Sequence, residues 1–403
     1  MKLKHIPMNT LPSSKSAIAS QAYVKSFQTG VTLVELMVAM AISLFLLIAI
    51  GLVYSSSKAG FSYANNTVRM SEDATFALDT MSRDIRMAAY SGCAGTKFVD
   101  NPTLVATKST PKLFHATAPQ VTDTFVAPNP FSGSALEAQT AVLGFKGGDS
   151  ASTTARTAMG IDSSTSFTAS TAMPMLYVSG GSERALQVGA ATAAGAGTIN
   201  FPSDPLKWAN DATLLFRIIS DCKNSEVFRS TGMTAAGVMT TSLPLLNGYD
   251  ADAVVTPLIS STYFLAKRTD ANTNSLYRQY FNGKKRENEE LVPNVEAITF
   301  QYGENTSCIG GVAPPCTAAN PPAFTADVYR ADATTVVDWS RVVSIRMGLI
   351  MVTEDNGQTT ASSTTADDIP WIGENGKYKV PSADRRLRRA YSTTVTIRNR
   401  SGL

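Results

Sequence analysis

The chain has 403 residues, 44 % of them apolar, which is enough material for a sizeable core and excludes a wholly disordered polymer. Its formal net charge of +3 arises at one end: Lys2, Lys4, Lys15 and Lys25 fall within the first 30 residues, which hold no acid, so 31 basic residues face 32 acidic ones in the remainder. A near-neutral body argues against a phosphate-tracking, nucleic-acid-binding surface, and four cysteines with two histidines and no C-x-x-C pair argue against a metal centre.

In chain order, residues 1–30 form a polar, basic leader ending at Gly30. From Val31 to Tyr54 the run VTLVELMVAMAISLFLLIAIGLVY gives 24 residues with one charge. That is long enough to cross the roughly 30 Å hydrocarbon layer as a helix. All four leader lysines precede it, which keeps the N-terminus cytoplasmic and sends the chain beyond about Ser55 across the membrane. A secretory signal would have an apolar core of roughly 7 to 15 residues followed by a small-x-small cleavage site. Here the polar segment and its glycine come first, an order that places cleavage before the apolar run.

Glu35 is the one charge in that run. A carboxylate inside an apolar helix costs roughly 2.5 to 3.5 kcal/mol on insertion scales, so it calls for a proton or a cationic partner. An α-amino group freed at Val31 would be mostly protonated at neutral pH, given a reference pKa of about 8, and would lie four residues away on the same helix. The competing reading is a glutamate at the membrane interface, favoured by the helix dipole.

QTGVTLVELMVAMAISL, residues 28–44, resembles the class III prepilin signal of type IV pilins and type II secretion pseudopilins. The resemblance implies cleavage after Gly30 by a prepilin peptidase, methylation of the new amino terminus at Val31, and pairing of Glu35 with a neighbouring subunit's N-terminus during assembly. Val31 departs from the Phe, Met or Leu usual at the first mature position. The leader is long for this branch, and Met8 is a second candidate start.

Residues 55–90 read as the amphipathic half of the same helix, with Leu78, Met81, Ile85 and Ala88 at helical spacing and Arg83, Asp84 and Arg86 between them. The pattern predicts one helix from Val31 to Ala89, about 90 Å long at 1.5 Å per residue, with Gly51 and Gly60 as weak points and Gly92 as its C-terminal cap. ATFALDTMSRDIRMAAYSGC, residues 74–93, resembles the minor pilin family PilW at Phe76–Asp79, Arg83–Ala88, Tyr90, Gly92 and Cys93.

Residues 91–403 form the head. Short apolar or alternating runs bounded by Gly, Pro, Asn and Ser predict strands over 142–145, 175–179, 213–220, 262–266, 295–302, 342–352 and 391–397. In the sixth, Val343, Ile345, Met347, Leu349 and Met351 share a face. The fold class is α+β, type IV pilin-like: a long N-terminal helix packed on an antiparallel sheet head with long loops. The Ala/Ser/Thr/Gly-rich stretch 147–197 and the polar stretch 356–368 read as loops. An even cysteine count in an oxidising compartment suggests two disulfides, with three connectivities open and Cys93 to Cys222 and Cys308 to Cys316 preferred. The PilW resemblance recurs in LLFRIISDCKNSEVFR, SLYRQYFNG, ELVPNVEAITFQYG, WSRVVSIRMGLIMVT and DRRLRRAYSTTVTIRNR.

No catalytic constellation is visible. His115 is the only histidine beyond the leader, and the paired glycines lack the lysine of a phosphate loop. Arg385, Arg386, Arg388 and Arg389 raise a DNA-binding reading against that of a solvated edge strand, and EDNG from Glu354 is a fragment of a calcium loop at most. The expectation is a non-enzymatic subunit without cofactor: a minor pilin of the inner membrane with a periplasmic head, joining other minor pilins and the major pilin to prime a type IV pilus and staying near its tip. The alternatives are a J-type pseudopilin of type II secretion, or a tip adhesin or DNA receptor.

Overall fold

The computed structural model describes residues 30–90, 92, 141–210, 215–221, 225–242, 244–245, 247–282, 286–306, 325–337, 339–354, 369–372, 376–378, 380 and 385–400. The chain divides into two compact units, Met1–Gly60 and Phe61–Leu403. Helix α1 is assigned over Leu33–Met87, with residues 33–60 in the first unit and 61–87 in the second. Gly51 and Gly60 therefore do not break it.

In the first unit the described residues are the start of α1, and they are exposed on every side: Leu33, Phe45 and Leu52 are 75 %, 79 % and 68 % accessible. A helix apolar all round with no protein covering it is built for lipid or for other helices. It is long and apolar enough to cross a membrane.

In the second unit α1 becomes one-sided. Met70, Ala74, Ala77, Met81 and Ile85 are buried, a stripe of steps of three and four residues. Opposite them Phe76, Asp79 and Arg83 stay exposed. The expected face is shifted: Met81, Ile85 and Ala88 lie in the core, whereas Leu78 sits on its edge. Small residues at 74 and 77 supply the stripe's first half, a contribution that a search for large apolar residues passes over.

The stripe packs on two antiparallel sheets. Among the described residues the larger has 11 strands and centres on Val254–Arg268, which pairs with Leu215–Ser220, Met175–Gly181 and Asn274–Phe281 along its length. The smaller has four, in the order Val328–Arg330, Val295–Glu304, Val342–Val352, Arg388–Thr396. Ile298, Phe300 and Tyr302 lie opposite Leu349, Met347 and Ile345, and all six side chains share the core with α1. Val343 does not join them. A register shift at Gly303/Glu304 turns Val342 inward instead.

The large sheet is buried on both faces at its centre. Leu176, Val178, Tyr263 and Leu265 face the α1 core, while their neighbours Met175, Tyr177, Phe264 and Ala266 face a second core under helix α2, Ser150–Ala158. Alternation along a strand makes this division automatic. The second core corrects the loop reading for the first part of 147–197, where α2 and strand Phe167–Ala169 lie, while strand Met175–Gly181 follows the strand expected over 175–179; the Phe167 ring lies 4.6 Å from that of Tyr277. Asp149 caps α2 by accepting from Ser152 N at 2.6 Å. A third cluster around Phe201, Trp208, Phe228 and Tyr249 fills the part of the sheet between residues 186 and 255. The stretch 356–368 lies outside the described residues.

Candidate functional site

Two places on α1 carry the functional residues, its first turn and its last. At the first, Thr32 Oγ1 accepts from Glu35 N at 3.3 Å and Thr32 O accepts from Leu36 N at 3.1 Å. Thr32 is thus the N-cap and Glu35 the third helical residue, the order of a capping box. Val31 lies ahead of the helix, not in it, because the cap occupies the position where the first turn would have begun. The carboxylate of Glu35 stands among the unsatisfied N–H groups of that turn, which favour negative charge there. Around it Leu33, Val34, Leu36 and Met37 are all exposed. A Cβ added at Gly30 would meet nothing within 4 Å, and its φ is ordinary. The fold of this chain places no demand for glycine at that position.

At the other end, α1 stops at Met87 and Ala89 takes a left-handed conformation, φ 62°. Gly92 has positive φ as well, yet lies beyond the stop, so the expected cap is displaced to an alanine. The strain is offset by docking: Ala89 N donates to Ser179 O at 2.9 Å and Gly181 N donates to Tyr90 O at 2.7 Å, adding two residues to the edge of strand Met175–Gly181. Gly180 is needed here, since a Cβ would come within 2.7 Å of Met87 O. Asn399 Nδ2 donates to Ala88 O at 3.0 Å, satisfying a carbonyl that the helix end leaves open.

One turn earlier, Asp84 Oδ2 accepts from Tyr263 OH at 2.6 Å and from Arg278 Nη1 at 3.4 Å, and Arg278 also pairs with Glu289. Burial, then the adjacent Asp84 charge, pushes the Tyr263 hydroxyl well above the usual tyrosine range. This network was not read from the sequence. Asp84 and Tyr263 are 179 positions apart, and nothing local to either announces the other.

The remaining sequence-stated residues divide simply. Cys93, Cys222, Cys308 and Cys316 lie outside the described residues, as do His5 and His115. Gly92 and Ser220, close neighbours of two of these cysteines in sequence, do touch: a Cβ at Gly92 would sit 2.9 Å from Ser220 Cβ. Arg388 is held by Glu296 through Nε at 2.5 Å and Nη2 at 3.2 Å, at the start of an edge strand. With the Arg388 side chain only 5 % accessible, this is a buried ion pair and departs from the solvated-edge reading of the arginine run. Glu354 is described, but the rest of the EDNG segment is not. Among the described residues no group of three or more His, Cys, Asp or Glu side chains gathers into a metal-binding arrangement.

An apolar helix, capped at its start and running into a one-sided stripe on an antiparallel head, defines the pilin-like class. Two family models match parts of the chain. Residues 262–399 match the model of the type IV pilus-assembly protein W, PilW, and residues 25–51 match that of the prokaryotic N-terminal methylation motif. Over these parts the chain is similar to type IV pilus-related pilins that carry a prepilin signal. No curated protein and no solved structure matches the chain. The first match covers the whole four-stranded sheet, the second half of the strand that carries Tyr263 and all of the strand that carries Arg278; the second covers Gly30, Val31 and Glu35.

Proposed function

We propose that the chain is a minor pilin, cut after Gly30, methylated at Val31, and added to other minor pilins in the inner membrane to prime a type IV pilus, with its head in the periplasm and its final place near the tip. The observation that carries this is the match of residues 25–51 to the N-terminal methylation motif, a span that holds Gly30, Val31 and Glu35 at the head of a helix long and apolar enough to cross a membrane. Glu35 then serves assembly: its carboxylate, on a helix open to lipid, pairs with the amino group exposed on a neighbouring subunit.

The test is the mass of the native N-terminus together with piliation. Gly30→Phe leaves the leader attached. Glu35→Ala is processed to begin at Val31 but fails to enter pili. A native chain that still begins upstream of Val31 overturns the proposal. Deletion abolishes surface pili under this reading; intact pili with lost type II secretion would instead identify a pseudopilin.

Cys93 bonded to Cys222 forms part of the same proposal, supported by the apposition of Gly92 and Ser220. The crosslink closes a loop of more than a hundred residues, worth about 4 to 5 kcal/mol on the chain-entropy account. Cys308 to Cys316 is the second pairing proposed.

A further inference from the structure

Among the described residues one long edge of the four-stranded sheet has no strand hydrogen-bonded to it, although the hairpin Ile369–Pro370 and Lys377–Tyr378 lies near its outer strand. Strand Arg388–Thr396 pairs with Val342–Val352 over nine consecutive positions, from Ser344 opposite Thr396 to Val352 opposite Arg388, with no register shift. Among the described residues no strand pairs with its other side. An unpaired edge is a template for a further strand, and proteins guard such edges by short length, proline, bulges or charge. The sheets' other terminal strands are guarded in these ways. Val142–Phe145, Thr198–Asn200 and Val328–Arg330 have only four, three and three residues, and Arg286–Val292 carries Glu287, Glu289 and Glu290. Strand Arg388–Thr396 has neither proline nor bulge, and Ser392, Thr394 and Thr396 present small exposed hydroxyl side chains.

Its guard is charge. Arg389 is exposed in a position opposite Met351, on the side that otherwise faces the core, and exposed Arg398 follows the strand's other end. Arg388 is occupied by Glu296. Fixed positive charge along an otherwise permissive edge works as a selector. It penalises a strand that brings another cation there and favours one that brings a carboxylate. The chain itself displays a strand of the second kind in Arg286–Val292, so heads of this build can offer both halves of such a contact.

We propose that Arg388–Thr396 is a strand-addition site that takes an acidic edge strand from the head of a neighbouring pilin subunit, main chain to main chain along Tyr391–Thr396, with a partner carboxylate beside Arg389. The inference rests on the pilin reading above for the existence of that neighbour, and its test is separable from it. A photo-crosslinking residue is placed at position 394 of the full-length protein in piliated cells, and the adducts are sequenced by mass spectrometry. The expected adduct maps to a strand bearing Asp or Glu in another pilin head. It falls at least tenfold with Arg389→Glu, and recovers when the partner's acid is changed to lysine in that background. Thr393→Pro and Thr394→Pro, of which one removes an outward N–H, provide a second readout: one abolishes the adduct and the other does not.

Adducts to the same strand of a second copy would overturn the proposal in favour of a symmetric dimer. Adducts indifferent to Arg389→Glu, or none from a subunit that begins at Val31 and enters pili, would also overturn it. In the last case the pilin reading survives.

Discussion

At the scale of single residues, the Asp84–Tyr263 contact ties α1 to the large sheet. Tyr263 is fully buried and its hydroxyl has an ionised acceptor at 2.6 Å. Hydrogen bonds to charged groups contribute about 1.5 to 3 kcal/mol, so Tyr263→Phe should lower the stability of the detergent-solubilised protein by that amount, read from its urea midpoint. The same residue sets an alkaline limit. Burial raises the Tyr263, Tyr177 and Tyr302 hydroxyls above the ordinary value. The folded state therefore keeps protons that the unfolded chain releases above about pH 10, and stability falls as pH rises past that point. Tyrosinate absorbance should follow unfolding at high pH and not precede it; early titration of these buried rings would contradict the packing described.

At the scale of elements, α1 has two faces with different work. Met81→Ala removes a fully buried side chain from the stripe and should cost about 2 to 5 kcal/mol. Phe76→Ala, on the face that is 56 % accessible, should change stability by less than about 0.5 kcal/mol in the same denaturation measurement. Strands were legible where β-branched or apolar residues run together: Val142–Phe145 and Val342–Val352 begin and end where the sequence places them. The hub strand was legible only in its second half, because Val254–Ser261 mixes proline and serine into the run. Arg286–Val292, reading RENEELV, carries no alternation at all, since an edge strand paired on one side has little to bury. Helix α2 was missed for a related reason. Its buried residues are Ser152, Ala155 and Arg156, and the arginine is kept inside by Asp162 at 3.3 Å, so no apolar period marks the helix. Only the capping aspartate, Asp149, announced it.

At the scale of the whole molecule, the candidate site was legible at one end and hidden at the other. Gly30 and Glu35 stand out by order and chemistry beside a basic leader and an apolar run, whereas the roles proposed for Gly30 and Val31 come from the resemblance to prepilin signals. The docking of α1 depends on residues gathered from positions 84, 179, 263, 278 and 399, which only the fold brings together. The two ends predict separable failures. Glu35→Ala should leave the urea midpoint of the protein unchanged while abolishing incorporation into pili; Asn399→Ala should lower the midpoint by about 1 kcal/mol and leave processing at Gly30 intact.

Asn399 seals the end of a helix that lies 311 positions earlier at Ala88. Until residues 388–399 are in place, the carbonyl of Ala88 stays unsealed and strand Val342–Val352 lacks its second partner, so the sheets close on α1 in a single concerted event. Removing residues 385–403 should therefore broaden the urea transition of the second unit into a gradual loss of structure.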